Sequence, residues 1–275
     1  MLASFSNKST MVVLHPLVLA TLLAAAPKPS PPENCTLRCA GAPLPLNRTV
    51  PNVLLVSDSI GASGSGYLDN VAQMLNGGAP ETTGGGAVGN AFVQHSGANW
   101  TGIKGYCGTS IGVAACTAPW LRGVVGGAGG FDVIHFNWGL HDIAPSMYYP
   151  IEPSLYAANM EAIYQQLRKA LAPNGTLVWT TTTPVPPSYK NRNNSDVLRI
   201  NEQMRSLFGP GAAHPEVVVH DLYGEIVARC SRDGASAGYP QTSDCLVLQS
   251  DGVHMSAAGR QYTGIMVAAS ILPFL

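Results

Sequence analysis

Short apolar runs that alternate with segments repeating every four residues set the strongest limit on what this chain can become. Val53–Val56, Asp132–Trp138, Thr176–Thr181 and Glu216–His220 are strand-like runs, and Asn90–Gln94 is a poorer fifth. Continuous apolarity, rather than strict alternation, marks strands buried on both faces of a parallel sheet. Between them, Leu155, Asn159, Ile163, Leu167 and Leu171 recur every four residues, and the pattern stops at Pro173-Asn174-Gly175. A second helix carries Val197, Ile200, Met204 and Phe208, opened by Ser195-Asp196 and closed by Gly209-Pro210. A last helix follows Ser256 as N-cap and carries Tyr262, Ile265, Met266, Ala269 and Ile271. Strand and helix in alternation predict the α/β class, a three-layer α/β/α sandwich around a parallel sheet. Ligands of such sheets bind outside the carboxyl ends of the strands, and Ser59 stands just past the first of them.

The chain divides into three stretches of unequal character. Residues 1–26 have Lys8 as their one charge, and Met11–Ala26 is an apolar run broken by His15 and Pro16. That run is short for a membrane span and ends in small residues, so it reads as a secretory signal peptide, with a retained signal anchor as the rival. Residues 27–50 are proline-rich and read as an extended lead-in. Residues 51–275 form one domain, in which nothing is long and apolar enough to span a bilayer. Charged residues make up 11% of the chain and its net charge is -1, so no basic face argues for nucleic acid. Oligomeric state leaves no trace in the sequence.

Six cysteines suit a secreted protein. Proximity in sequence suggests Cys35 with Cys39, Cys107 with Cys116 and Cys230 with Cys245, although six cysteines allow fifteen connectivities. A zinc site is disfavoured because no C-x-x-C occurs and the histidines are not spaced as partners. Sequons at Asn34, Asn47, Asn99, Asn174 and Asn193 add the expectation of a glycoprotein with those sites on its surface. Glycine-rich stretches at Asn76–Asn90 and Gly123–Gly130 read as loops, since neither matches a phosphate-binding pattern.

Chemistry concentrates at the two ends of the domain. Val53–Gly64 (VLLVSDSIGASG) runs from a strand into a turn holding Ser57, Ser59 and Ser63 around Asp58. Turn residues alone explain such a stretch. Near the other end lies Ser250-Asp251-Gly252-Val253-His254, where an Asp three residues before a His can fold back onto the imidazole. Acyl transfer by serine needs such a base and a third group to orient it. The G-x-S-x-G nucleophile pattern is absent around serines 57, 59, 63 and 65.

With these residues in hand, the chain resembles the SGNH or GDSL hydrolases. Their first block, Gly-Asp-Ser-[Leu/Ile], is similar to Ser57-Asp58-Ser59-Ile60, and their last, Asp-x-x-His, is matched by Asp251–His254. Gly139-Leu140-His141-Asp142 is similar to the Gly-x-Asn-Asp block, and Cys107-Gly108-Thr109-Ser110 is the best match to the glycine block. The resemblance covers about residues 51–275, in block order. It implies a flavodoxin-like parallel sheet, Ser59 as nucleophile, His254 as general base and Asp251 as the residue orienting it. It further implies oxyanion donors from the backbone N–H groups of Ser59 and Gly108, with His141 standing where the family has a donating asparagine. Asp58 is expected to hold the turn through nearby backbone groups.

Two departures stand out. Ser57 replaces a glycine, and His141 replaces an amide by an imidazole, which when neutral still carries one N–H; the rival reading makes His141 a structural histidine. His135 and His220 read as core histidines, and His95 and His214 are unassigned. Trp100, Trp138, Tyr148 and Tyr149 are candidates for stacking on a sugar, Trp138 foremost, against a rival role in core packing. The expected activity is a serine esterase that releases a short acyl group, such as acetate on a carbohydrate, without metal or organic cofactor. An O-acyltransferase using the same acyl-enzyme and a non-catalytic binding protein on the same fold are the alternatives.

Overall fold

A computed structural model describes residues 50–61, 66–77, 92–95, 109–121, 130–144, 152–185, 192–230 and 253–275. Within them the strands are β1 (Asn52–Ser57), β2 (Phe92–His95), β3 (Phe131–Asn137), β4 (Leu171–Thr180) and β5 (Val218–His220). The helices are α1 (Leu68–Leu75), α2 (Ser110–Trp120), α3 (Pro153–Lys169), α4 (Asn194–Leu207), α5 (Leu222–Cys230) and α6 (Ala257–Ile271), with a closing 3-10 turn at Leu272–Phe274. All four strand pairings are parallel and the order is β2-β1-β3-β4-β5. This is the flavodoxin-like order, and the sheet is the α/β arrangement that alternation in the sequence predicts.

Why these strands form is visible in their burial. All six residues of β1 are buried, as are six of the seven in β3. β4 begins earlier than its apolar run, at Leu171, and takes in Pro173-Asn174-Gly175. The register against β3 jumps there, from Phe131↔Leu171 to Val133↔Thr176. Proline has no N–H for the ladder, so this stretch bulges and exposes Pro173 and Asn174 before regular pairing resumes. Helix α3 accordingly stops at Lys169, short of Leu171.

Successive residues of a strand face opposite sides, so the sheet separates two cores. On one side Phe136 and Trp179 pack with Phe208, at centroid separations of 5.6 and 5.8 Å, under α3 and α4. On the other side lie His135, Thr180 and His220 beneath α1, α5 and α6. Local capping fits the sequence closely: Ser256 accepts from Gly259 N–H at 3.0 Å and opens α6. Helix α4 starts one residue earlier than its charge pattern suggests, because Asn193 is the N-cap and accepts from Ser195 N–H.

Asn174 and Asn193 are both exposed, whereas Asn34, Asn47 and Asn99 lie outside the described residues. Cys116 and Cys230 are buried and disulfide-bonded; Cys35, Cys39, Cys107 and Cys245 lie outside the described residues, as does the whole of residues 1–49. No helix among the described residues is long and apolar enough to cross a membrane.

Candidate active site

The strand order reverses between β1 and β3, and a crevice opens beyond their carboxyl ends at such a switch point. Both loops that leave these strands carry the residues singled out in the sequence. After β1, Asp58 folds the chain into a tight turn: its Oδ1 accepts from Ile60 N–H at 3.0 Å, and its carbonyl accepts from Gly61 N–H at 3.1 Å. Asp58 itself is buried, which leaves Ser59 at the half-exposed crest of the turn.

Gly61 shows how serine is tolerated at position 57. A Cβ on Gly61 would lie 2.5 Å from Ser57 Cβ and 2.6 Å from its Oγ. The bulk that glycine lacks at 61 is the bulk that serine adds at 57.

His254 arrives from the opposite end of the chain, on the turn that leads into α6. Its Nε2 lies 3.1 Å from Ser59 Oγ, across 195 positions of sequence. That is within the hydrogen-bond reach a general base needs toward a hydroxyl. Asp251 and Gly108 lie outside the described residues.

The Gly139–Asp142 segment follows β3 and turns sharply, with Asp142 N–H donating to Gly139 O at 3.0 Å. Gly139 has φ +146°, where glycine is favoured, and a Cβ there would meet Ile200 Cδ1 and Thr182 Oγ1 at 2.6 Å. The turn holds His141 half-buried, within the charge fields of Asp58, Arg192 and His254. Burial lowers the His141 pKa foremost, Asp58 opposes that, and the charges of Arg192 and His254 add to the lowering. His141 is therefore a neutral imidazole with a single N–H to offer.

Asp142 faces the other way. Its carboxylate accepts Ser110 N–H at 3.0 and 3.1 Å and Ser110 Oγ–H at 2.6 Å, and Asn159 Nδ2 donates to that Oγ at 3.0 Å. A carboxylate here caps the start of α2 and satisfies an otherwise orphaned N–H. Burial nevertheless pushes the Asp142 pKa up to about 7, against the opposing pull of these hydrogen bonds. The effect is to lock the turn after β3 to the segment that begins with Thr109.

Trp138 requires a correction. Its side chain is fully buried beside Phe136, at a centroid distance of 6.0 Å, which leaves no exposed ring face for a sugar. As the residue after β3 it continues the face of Ile134 and Phe136, the side under α3 and α4. Trp100, Tyr148 and Tyr149 lie outside the described residues. His214 pairs with Glu161 at 2.6 Å and stacks on Tyr164, away from the site. One neighbour has no signature in the sequence: Arg192 Nε donates to Leu140 O at 2.6 Å, and this 52-residue separation follows no motif.

With this geometry in view, the chain can be set beside known proteins. No family model and no curated protein matches the sequence. Solved structures do match in fold. The α/β hydrolase enzyme LAE5 from the metagenome of Lake Arreo superposes with TM-score 0.54 and 16% identity, covering 82% of this chain and 94% of that one. A GDSL-like lipase from Parabacteroides merdae gives 0.52 and 15%, covering 80% and 94%. An acylhydrolase from Bacteroides fragilis gives 0.51 and 12%, covering 88% and 96%. The fold is thus that of the SGNH or GDSL hydrolases, the class that the four sequence blocks resemble.

Proposed function

We propose that this chain is a secreted serine ester hydrolase that releases a short acyl group, such as acetate carried by a carbohydrate. The observation that carries the reading is the 3.1 Å approach of His254 Nε2 to Ser59 Oγ at the switch point of the sheet. Structures of the same fold that are described as a lipase and an acylhydrolase support the choice of ester chemistry.

In this reading Ser59 Oγ attacks the ester carbonyl while His254 Nε2 takes its proton, and Asp251 orients the ring. Negative charge on the carbonyl oxygen is met by the backbone N–H groups of Ser59 and Gly108 and by the single N–H of His141. His254 then returns the proton to the departing alcohol. Water, deprotonated by the same imidazole, releases the acid and restores the serine. Cys107–Cys116 and Cys230–Cys245 bridges would accompany passage through an oxidising compartment.

Hydrolysis of p-nitrophenyl acetate, butyrate and octanoate by wild type and Ser59→Ala tests the proposal. Acetate should be turned over fastest, and Ser59→Ala should lose about 1,000-fold or more in kcat. Equal hydrolysis by Ser59→Ala would sink the reading. A sugar acceptor that diverted the acetyl group from water would replace hydrolysis by transfer.

A further inference from the structure

The sheet face beneath α1, α5 and α6 carries polar side chains where a core face ordinarily carries apolar ones. Ser57, His135 and Thr180 are fully buried there, and His220 nearly so. His220 Nε2 lies 2.9 Å from Glu225 Oε2, and His220 Nδ1 lies 3.2 Å from Thr180 Oγ1. Thr180 Oγ1 in turn lies 2.7 Å from His135 Nε2.

Donor and acceptor chemistry gives this series one direction. With a neutral His220 ring, Nε2–H donates to the Glu225 carboxylate and Nδ1 accepts from the Thr180 hydroxyl. Having spent its proton, Thr180 Oγ1 accepts from His135 Nε2–H. Burial foremost lowers the His135 pKa to about 3, so its ring is neutral and its Nδ1 is left as an acceptor. That Nδ1, Ser57 Oγ and Tyr67 Oη are all buried, and Tyr67 hydrogen-bonds with the Ser57 side chain. The Tyr67 ring meets the His135 ring edge-on at 6.4 Å.

Both ends of the series touch the segments that carry Ser59 and His254. Tyr67 N–H donates to Ile60 O at 3.3 Å and Leu68 N–H to Gly61 O at 3.2 Å, so Tyr67 is tied to the turn after β1. At the far end Tyr262 Oη, on the helix that follows His254, donates to Glu225 O at 3.4 Å.

We propose that Glu225, His220, Thr180 and His135 form a positioning chain, continued by the edge-on contact of His135 with Tyr67, that holds the Ser59 turn in register with His254. A chain of this kind acts on kcat, because misplacing the nucleophile relative to its base affects the reacting geometry rather than substrate capture. The inference rests on the roles proposed for Ser59 and His254.

Its test is the turnover of p-nitrophenyl acetate by Thr180→Val, Thr180→Ser and Glu225→Ala beside wild type and Ser59→Ala. Thr180→Val should lower kcat by about tenfold or more at a KM within about twofold, and Thr180→Ser should restore it. Glu225→Ala, at the end where the carboxylate is 38% exposed, should fold and lower kcat in the same sense. Wild-type kcat in Glu225→Ala and in any folded Thr180→Val, even with a reduced Tm, overturns the chain. If Ser59→Ala keeps wild-type turnover, the serine reading itself has failed. An inactive Ser59→Ala beside fully active Glu225→Ala removes only the positioning chain.

Discussion

An imidazole in place of an amide at position 141 concentrates the question of whether this site is competent. Neutral imidazole carries one donor where asparagine carries two, and desolvation keeps His141 neutral despite the nearby Asp58 carboxylate. An oxyanion needs only one N–H from this position. Replacement by Asn should therefore preserve most of the esterase kcat, whereas His141→Ala should cost about 100- to 1,000-fold. Indistinguishable rates for all three proteins would remove His141 from the oxyanion site. At the neighbouring turn, Gly61→Ala forces a methyl against Ser57 Oγ and should destabilise the fold by about 1–3 kcal/mol. Adding Ser57→Gly should recover part of that loss, and additive losses in urea titrations would contradict the packing argument. Serine at 57 and glycine at 61 are legible one by one in the sequence, but not their complementarity. Trp138 shows the reverse failure, since a sequence position next to a site says nothing about which face of the strand an indole takes.

Elements are held to one another by buried polar groups, and Asp142 is the clearest case. It joins the turn after β3 to the N-terminus of α2 while its pKa stands near 7. The folded protein thus binds this proton more tightly than the unfolded chain, whose aspartate titrates near 4. Between about 4 and 7 the folded state holds more protons, so this group's contribution to stability falls as pH rises. Asp142→Asn should remove that fall, and Tm measured across the interval should be flatter in the variant than in wild type. A wild-type Tm that rises through the same interval by the amount seen in the variant would contradict the assignment.

Element type was largely legible because parallel strands and amphipathic helices write their periods into the sequence. β4 departs from its apolar run because Pro173 and Gly175 lie in a bulge, whose pairing depends on β3 rather than on local propensity. Contacts such as Arg192 to Leu140 and Thr180 to His220 have no local period at all, and only the fold brings them together.

For the whole molecule, strand order does the work of assembly. With β1 and β3 adjacent at the reversal, a serine after the first strand and a turn after the third must share one crevice. The chain's last helix then returns His254 to the same crevice, which explains how blocks at opposite ends of the domain meet. Order of the blocks in the sequence anticipates this, because each follows or precedes an element whose place in the sheet is set by right-handed crossovers. The site at the mouth of the sheet is separate from a cleft of about 380 Å³, lined by Tyr164, Arg168 and Glu216, at the start of β4. Nothing in the Ser59–His254 geometry draws on that cleft.

The central claim is that Ser59 is the group that becomes acylated. Treatment of the intact protein with a fluorophosphonate, followed by peptide mass spectrometry, tests it most directly. One adduct is expected, on the peptide containing Ser59, and it should vanish in Ser59→Ala and be strongly slowed in His254→Ala. Labelling of Ser57 or Ser63 instead, or ester hydrolysis that continues unchanged once Ser59 is replaced, would contradict the account.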